Sequence, residues 1–297
     1  MNAGINLLKT KPHRDTIVCE QAKILSHQAF DGDQYILRIQ AAEIARRALA
    51  GSFVHLQCDP SLPMRRPLSI MRVDPEAGWV ELLYKVFGHG TALLAKRKVG
   101  ELLDLFGPIG VPFELHEDRL RPLLIGGGVG IPPMIFVADT LRNQQQYTPF
   151  VIMGSEVPFP FQSRPSTIMV PGQPDGVIAC MPLLEDWGIP SRLTSTQGYP
   201  GCFDGFVTDL ARHYLEALDK EQRDQTEIFS CGPTVMLEAV AQLAKEYELP
   251  CQVSLEEHMA CAVGGCAGCV VKVETEAGPA MKRVCVDGPV FDAYSVF

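Results

Sequence analysis

The sequence predicts a multi-domain chain of β plus α/β class, with an N-terminal antiparallel β-barrel, a central parallel α/β sheet and a small C-terminal cysteine-bearing unit. Three observations predict it. Residues 15–115 carry short β-branched and aromatic runs separated by turn residues. From Pro122 the rhythm changes to strands alternating with helices, the pattern of a parallel sheet covered on both faces. Near the C-terminus Cys261, Cys266 and Cys269 stand as C-x4-C-x2-C, and Cys285 follows alone. The expected units are 1–120, 121–250 and 251–297.

In the first unit, strands are expected at Gln34–Ile39, Ser52–Leu56, Leu68–Val73 and Trp79–Val86, bounded by Asp-Gly, Pro or Gly turns. Several short strands of this kind close into a barrel or sandwich. Arg65-Arg66-Pro67-Leu68-Ser69 sets a guanidinium beside a proline-fixed extended segment. Arg66 suits bidentate contact with a diphosphate, and Ser69 offers a hydroxyl to a flavin edge. Tyr84-Lys85-Val86-Phe87-Gly88-His89-Gly90-Thr91 ends a strand in glycines, with a helix expected from Thr91, and forms a second candidate phosphate cradle. His89 receives no role.

The second unit opens on Leu123-Leu124-Ile125-Gly126-Gly127-Gly128-Val129-Gly130-Ile131-Pro132-Pro133, a strand entering a glycine turn and a proline-started helix. Gly128 and Gly130 are candidates to admit a diphosphate close to the backbone, where a helix N-terminus supplies free N–H groups. The spacing is not G-x-G-x-x-G, and a tight strand-to-helix turn with no ligand is the alternative. Glu156, beyond the strand Phe150–Met153, is placed either to bond a ribose 2′-hydroxyl, which favours NAD over NADP, or simply to meet solvent. Val207, Leu210, Ala211, Tyr214, Leu215 and Leu218 make one helical stripe, and Met236, Val240, Leu243 and Tyr247 another. Cys231, in Ile228-Phe229-Ser230-Cys231-Gly232-Pro233, ends a strand at the sheet edge where ligands bind; it either faces a nicotinamide or is a buried thiol. Pro233 is expected in the first turn of the helix that follows, and Pro250 marks that helix's end.

The cysteine spacing is that of a plant-type 2Fe-2S cluster. Gly264, Gly265 and Gly268 would let backbone amides approach the sulfurs. Structural zinc usually takes two separated C-x2-4-C pairs, whereas here three ligands share one loop; a zinc site remains the alternative. Disulfides are disfavoured because the opening Met1-Asn2-Ala3-Gly4-Ile5-Asn6 has no basic n-region or apolar core, which points to a cytoplasmic, reducing setting. The other six cysteines are expected to be mostly small buried apolar residues.

A net charge of −9 argues against a general binder of nucleic acid or anionic membrane. The apolar stretch Pro122–Phe136 is broken by glycines and prolines and cannot be one membrane-spanning helix.

Taken in order, Arg-Pro-Leu-Ser in the barrel, Gly-Gly-Gly-Val-Gly-Ile-Pro in the sheet and Cys-Gly-Pro after it, the chain resembles the ferredoxin-reductase superfamily of flavoproteins. Within it, the C-terminal cysteines leading into Asp287-Gly288-Pro289-Val290-Phe291, together with Asp204-Gly205-Phe206-Val207-Thr208-Asp209, are similar to the electron-transfer subunits of NAD-dependent (class 1B) dihydroorotate dehydrogenases. The resemblance implies FAD held through Arg66, Pro67, Leu68, Ser69 and the segment of Tyr84, Lys85, Val86, Gly88, Gly90 and Thr91. It implies NAD around Gly128, Gly130, Glu156 and Cys231, and a 2Fe-2S cluster on the four cysteines. It further implies a separate FMN-containing catalytic subunit, assembled with this chain as a heterotetramer. Electrons would run from dihydroorotate through FMN, 2Fe-2S and FAD to NAD+. Related subunits that serve a hydrogenase, sulfite reductase, ferredoxin or oxygenase would share these cofactors. A zinc-stabilised binding module is the non-enzyme alternative. Two segments depart from the family's pattern: Val111-Pro112-Phe113 is apolar where polar residues or glycine are expected, and Pro158–Pro165 is proline-rich.

Overall fold

The computed structural model describes residues 16–297; the Met1–Asn6 opening lies outside the described residues. Six antiparallel strands close a barrel in the order β1-β2-β5-β4-β3-β6: β1 Val18–Phe30, β2 Gln34–Gln40, β3 Phe53–Leu56, β4 Arg66–Asp74, β5 Trp79–Lys85 and β6 Leu102–Ile109. Helices α1 (Ala42–Arg47) and α2 (His89–Leu94) lie between them. Alternate residues such as Leu37, Ile39, Val80 and Leu82 turn inward and are fully buried, as the period-2 pattern requires.

The remaining elements are β7 Arg121–Gly127, α3 Ile131–Leu141, β8 Phe150–Gly154, β9 Arg164–Pro165, β10 Ala179–Cys180, α4 Pro182–Asp186, β11 Ser191–Thr194, α5 Val207–Ala217, α6 Lys220–Asp224, β12 Thr226–Cys231, α7 Thr234–Glu246, β13 Cys251–Ser254, β14 Val270–Thr275, β15 Gly278–Arg283, α8 Val284–Asp287, β16 Val290–Asp292 and α9 Ala293–Val296. The central sheet has the order β11-β8-β7-β12-β13-β16, parallel except for β16. Both faces are covered. Leu123, Ile125 and Ile152 pack against α5 and α7, while their alternates Leu124, Val151 and Met153 pack against α3 and the barrel's Met71 and Leu83.

Several expectations are corrected in detail. The helix expected from Thr91 begins at His89, because Gly88 at φ 84° turns the chain first. Pro233 is the cap of α7 rather than part of its first turn; its missing N–H is no loss in either place. The apolar face of α7 is centred on Leu237, Val240, Ala241 and Ala244, which leaves Met236 at its margin and Tyr247 just past the helix. The expected division at residue 250 falls within the sheet, since β13 pairs in parallel with β12 and β16 returns to close the edge. Four of the six dispersed cysteines, Cys58, Cys180, Cys231 and Cys251, are buried; Cys19 is exposed.

Both departures from the family's pattern form joints between units. Val111 N–H donates to Gly288 O at 2.6 Å, and Phe113 meets the Phe229 ring edge-on at 5.6 Å. The apolar stretch thus packs between barrel, sheet and C-terminal unit. The proline-rich segment reaches the barrel, where Gln34 Nε2 donates to Pro158 O at 2.7 Å and Gly32 faces Val157.

A titratable contact ties the joint between barrel and sheet to β12. Glu227 is 1% exposed and accepts from Gln252 Nε2 at 2.8 Å, and its other oxygen meets His116 Nδ1 at 2.9 Å. That carboxylate, with Glu114 and Asp118 nearby, raises the His116 pKa. A raised folded-state pKa stabilises fully below the unfolded value of about 6.5 and is lost as pH rises through the folded value. The ring is 44% exposed, so screening holds the effect to about 1 kcal/mol or less. We expect the melting temperature to fall by less than about 3 °C between pH 6 and 8.5, and His116→Gln to flatten that slope. An unchanged slope in the variant would remove His116 from the account.

Candidate functional site

A cleft of about 490 Å³ opens between barrel and sheet. Its barrel wall consists of Pro67, Leu68 and Ser69 from β4 and Tyr84 and Lys85 from β5. These strands lie side by side in the barrel, so two motifs separated in sequence share one surface. The opposite wall is Ser254–Met259, the segment that leaves β13, with Val129 from the glycine turn at one side. Phe87 stands at the lip with 88% of its surface exposed, a large aromatic face free to stack on a planar ligand.

Arg66 lies beside Gly90. A Cβ at position 90 would stand 2.9 Å from Arg66 Nε, so the glycine makes room for the guanidinium at the start of α2. Arg66 forms no ion pair among the described residues, and only its Nη1 is engaged, by the Met64 and Arg65 carbonyls. Arg65, by contrast, is bound to Asp104 and over the Phe106 ring. The Thr91 hydroxyl accepts from Phe87 N–H at 2.7 Å and holds the turn. Val86 is half-buried, and its N–H donates to Asp33 O at 2.8 Å. Because His27 Nδ1 faces the Arg97 carbonyl at 2.9 Å and must donate to it, His27 Nε2 accepts from Tyr84 Oη at 2.7 Å. Tyr84 therefore presents ring and backbone, not hydroxyl, to the cleft.

The glycine turn divides its duties. Gly128 has φ 54° and open space where a Cβ would be, whereas a Cβ at Gly130 would stand 2.2 Å from Cys231 O. Gly130 therefore serves the close passage of two strand-to-helix turns. Glu156 is exposed just past β8 and does not line the cleft. Cys231 is 1% exposed, and burial pushes its thiol far above the ordinary range, so it stays protonated. Its Sγ hydrogen-bonds with Ser254, which does line the cleft.

Sequence reasoning missed Glu256 and His55. Glu256 lines the cleft in a setting that raises its carboxyl pKa by desolvation. His55 on β3 is 1% exposed, and burial brings its pKa down to about 4, so it is neutral at pH 7. The acidic run Glu256-Glu257 is the one local signal for the first. His55 gives none, because only the barrel register buries it.

The cleft wall runs directly into the cysteine loop: Met259 lines the cleft and Cys261 follows two residues later, about 7 Å of extended chain. Ala262, Gly264 and Ala267 at φ 52°, 81° and 54° curl the loop. The curl aims Gly265 N–H at Cys261 Sγ at 3.2 Å, Cys266 N–H at the same sulfur at 3.4 Å, and Gly268 N–H at Cys266 Sγ at 3.4 Å. Burial alone would raise the Cys261 pKa. The amides of Val263, Cys266 and Gly265, with the Cys266 side chain, outweigh it and bring the thiol to about 7.

Cys269 and Cys285 meet because of a hairpin. Strands β14 and β15 pair Val270 with Arg283, so the residues just outside them come together, and Val284 N–H donates to Cys269 O at 2.9 Å. Burial and the adjacent Cys269 push the Cys285 thiol up to about 12. Arg283 reaches back to Gly264 O at 3.0 Å and to Asp287, pinning loop to hairpin. Among the described residues, no three His, Cys, Asp or Glu side chains converge on one metal-ion position. The thiols instead form two neighbouring pairs, Cys261 with Cys266 and Cys269 with Cys285. Four thiols in two pairs, met by backbone N–H groups, suit a two-iron cluster with two thiolates per iron better than a single zinc ion.

Residues 256–297 match the family model described as the iron-sulfur cluster binding domain of dihydroorotate dehydrogenase B. The zinc-stabilised, non-enzyme alternative gives way to that match. The dihydroorotate dehydrogenase B (NAD(+)) electron transfer subunit of Desulforamulus reducens is 31% identical over 280 residues, 93% of this chain and 97% of that protein. Its counterpart in Shouchella clausii is 32% identical over 264 residues, 87% and 90% of the two chains. Among solved structures, an NADH-dependent reduced ferredoxin-NADP oxidoreductase superposes with a TM-score of 0.75 at 25% identity, covering 94% of this chain and 90% of that one. A ferredoxin reductase in carbazole 1,9a-dioxygenase, at TM-score 0.61 and 21% identity over 79% of this chain and 67% of that one, shares the fold. Among the described residues no helix is long and apolar enough to cross a membrane. The chain belongs to the family of electron transfer subunits of dihydroorotate dehydrogenase B (NAD(+)).

Proposed function

We propose that this chain carries electrons between a separate FMN-containing dihydroorotate dehydrogenase subunit and NAD+ in pyrimidine biosynthesis, using FAD and a 2Fe-2S cluster, within a cytoplasmic heterotetramer. The observation that carries the proposal is the continuity of Ser254–Met259 with Cys261: the wall of the flavin cleft becomes the cluster loop. A flavin, when bound, exchanges a hydride with a nicotinamide and single electrons with an iron-sulfur cluster.

Arg66, with Gly90 beside it, neutralises the FAD diphosphate. Pro67, Leu68 and Ser69, with Tyr84, Lys85 and Val86, would form the edge that holds the flavin, and Gly88 and Thr91 shape the turn into α2. Gly128 admits the nicotinamide dinucleotide to the end of β7, Gly130 holds that turn against Cys231, and Glu156 faces the ribose. Cys231 sets Ser254 in the cleft wall, and Glu256 lines that wall with a carboxyl pKa raised by desolvation. Cys261, Cys266, Cys269 and Cys285 hold the cluster.

We expect Arg66→Gln to weaken FAD binding by about 10- to 100-fold, the usual cost of losing a charge-assisted contact, with the fold intact because among the described residues Arg66 bonds only to neighbouring carbonyls. Flavin retained on gel filtration as in the wild type would refute that duty.

A second reading is favoured by the similarity to the ferredoxin-NADP oxidoreductase structure: a related reductase subunit with the same cofactors and a different partner. Anaerobic co-expression with the candidate catalytic subunit separates the two. Dihydroorotate-dependent NAD+ reduction by the complex, absent from this chain alone, supports the first reading. Turnover of dihydroorotate without the partner, or failure of the two chains to associate, would overturn it.

A further inference from the structure

A second cleft of about 350 Å³ lies at the opposite edge of the sheet, around the first residues of β7, β8 and β11. The nucleotide turns leave the other ends of these strands. Along β7 the separation is roughly 20 Å at the usual rise per residue. The volume falls within the range of roughly 300–1,000 Å³ common for small-molecule sites.

Its chemistry is one-sided. Tyr147, Phe150, Trp187 and Tyr214 give it aromatic walls, Arg121 and Arg142 give it two cations, and among the described residues no Asp or Glu lines it. Arg142 lies over the Trp187 ring at 5.1 Å and shares its charge with Asp139 at 3.0 Å. Arg121 has no carboxylate partner among the described residues; Tyr214 hydrogen-bonds with it, and its Nε is buried with no hydrogen-bond partner. A buried guanidinium N–H without an acceptor is costly, and a carboxylate or phosphate would satisfy it through paired N–H donors. The aromatic walls add a preference for a planar body, through stacking and apolar burial. Met169 stands at the mouth, 91% exposed.

We propose that this cleft is a second small-molecule site, which takes a flat aromatic ring bearing one anionic group, with the anion on Arg121. It is separate from the flavin and nicotinamide cleft and does not depend on the function assigned to that cleft.

Isothermal titration calorimetry on the FAD-loaded chain, with NAD+ saturating, tests it using benzoate, phenyl phosphate and inorganic phosphate. Benzoate and phenyl phosphate separate a carboxylate from a phosphate ligand, and inorganic phosphate supplies the anion without the ring. We expect at least one ring-bearing anion to bind one per chain, and Arg121→Met to weaken it at least tenfold. Because Arg121 opens a strand, the exposed Met169 supplies variants that leave folding alone. Met169→Glu should weaken binding several-fold and Met169→Lys should tighten it, with unchanged flavin content and melting temperature. Absence of binding by both ring anions, or affinity indifferent to the charge at position 169, overturns the site. Inorganic phosphate binding as tightly as phenyl phosphate overturns its aromatic half.

Discussion

Cys266→Ser is expected to abolish electron exchange with the partner subunit, by more than about 100-fold, while NADH oxidation by ferricyanide stays within about twofold of the wild type. Cys266 is exposed at the turn of the loop, and its backbone N–H to Cys261 Sγ at 3.4 Å is a contact that a serine keeps. Loss of its thiol therefore removes a proposed ligand without opening the core. A serine hydroxyl is a harder, far less acidic donor than a thiol and does not replace a soft thiolate on iron. The cleft wall Ser254–Met259 is fixed by the pairing of β13 with β12 and by Leu255 N–H to Pro289 O at 2.9 Å, neither of which uses the cluster. FAD should accordingly remain bound. Anaerobic visible spectra report the cluster and flavin separately, and stopped-flow reduction through the partner reports the relay. Cys285→Ser is a poorer probe, because that side chain is 1% exposed and packed against Cys269, so a folding defect would be mixed with ligand loss. Undiminished partner turnover in Cys266→Ser would remove the cysteine loop from the electron path. Collapse of the ferricyanide reaction as well would show that the cleft wall depends on the cluster.

What could be read from the sequence follows from how local its cause is. The cysteine loop was legible because spacing alone sets which thiols share a turn. The meeting of Cys269 with Cys285 was legible in principle too: the two residues flank a hairpin closed at Glu276-Ala277, so pairing its strands brings its ends together. Strand β7 and the start of α3 were legible because an apolar run, glycines and prolines coincide. Strand β1 was not, since its Cys19, Glu20, Gln21, Lys23 and Ser26 interrupt any apolar alternation, and its pairing with β6 spans some eighty residues of chain. The same applies to Glu256. The acidic pair Glu256-Glu257 is a weak local signal that a solvated surface also explains; the place of Glu256 in the cleft comes from the register of β13 in the sheet and from the barrel wall opposite. Thr91 misled for the opposite reason: Gly88 and Gly90 suggested a helix start after them, but the left-handed turn at Gly88 lets the helix begin one residue later, at His89.

Gly130→Ala is expected to raise the KM for NADH at least tenfold and to cost about 3 kcal/mol of stability, near the upper range for forcing an extra methyl into a packed site. The backbone at Gly130 is ordinary, with φ −84°, so strain at the residue is not the cause. Space is. A Cβ there would lie 2.2 Å from Cys231 O, 2.3 Å from Cys231 C and 2.5 Å from Gly232 N, all backbone atoms that cannot rotate aside. The turns after β7 and β12 would have to separate, and the proposed nicotinamide site lies between those turns. Flavin content should hold, since the FAD contacts assigned to Arg66, Ser69 and Tyr84 sit on the barrel. Gly128 provides the control. Its φ of 54° costs an alanine roughly 1–2 kcal/mol in the left-handed region, yet a Cβ there meets nothing within 4 Å. If Gly128 admits the diphosphate, Gly128→Ala should raise KM through lost approach while disturbing stability less than Gly130→Ala. If Gly128→Ala lowers the melting temperature but leaves KM unchanged, the diphosphate does not approach this turn. Thermal melts and NADH–ferricyanide kinetics on the two variants thus separate a glycine that serves packing from one that serves a ligand.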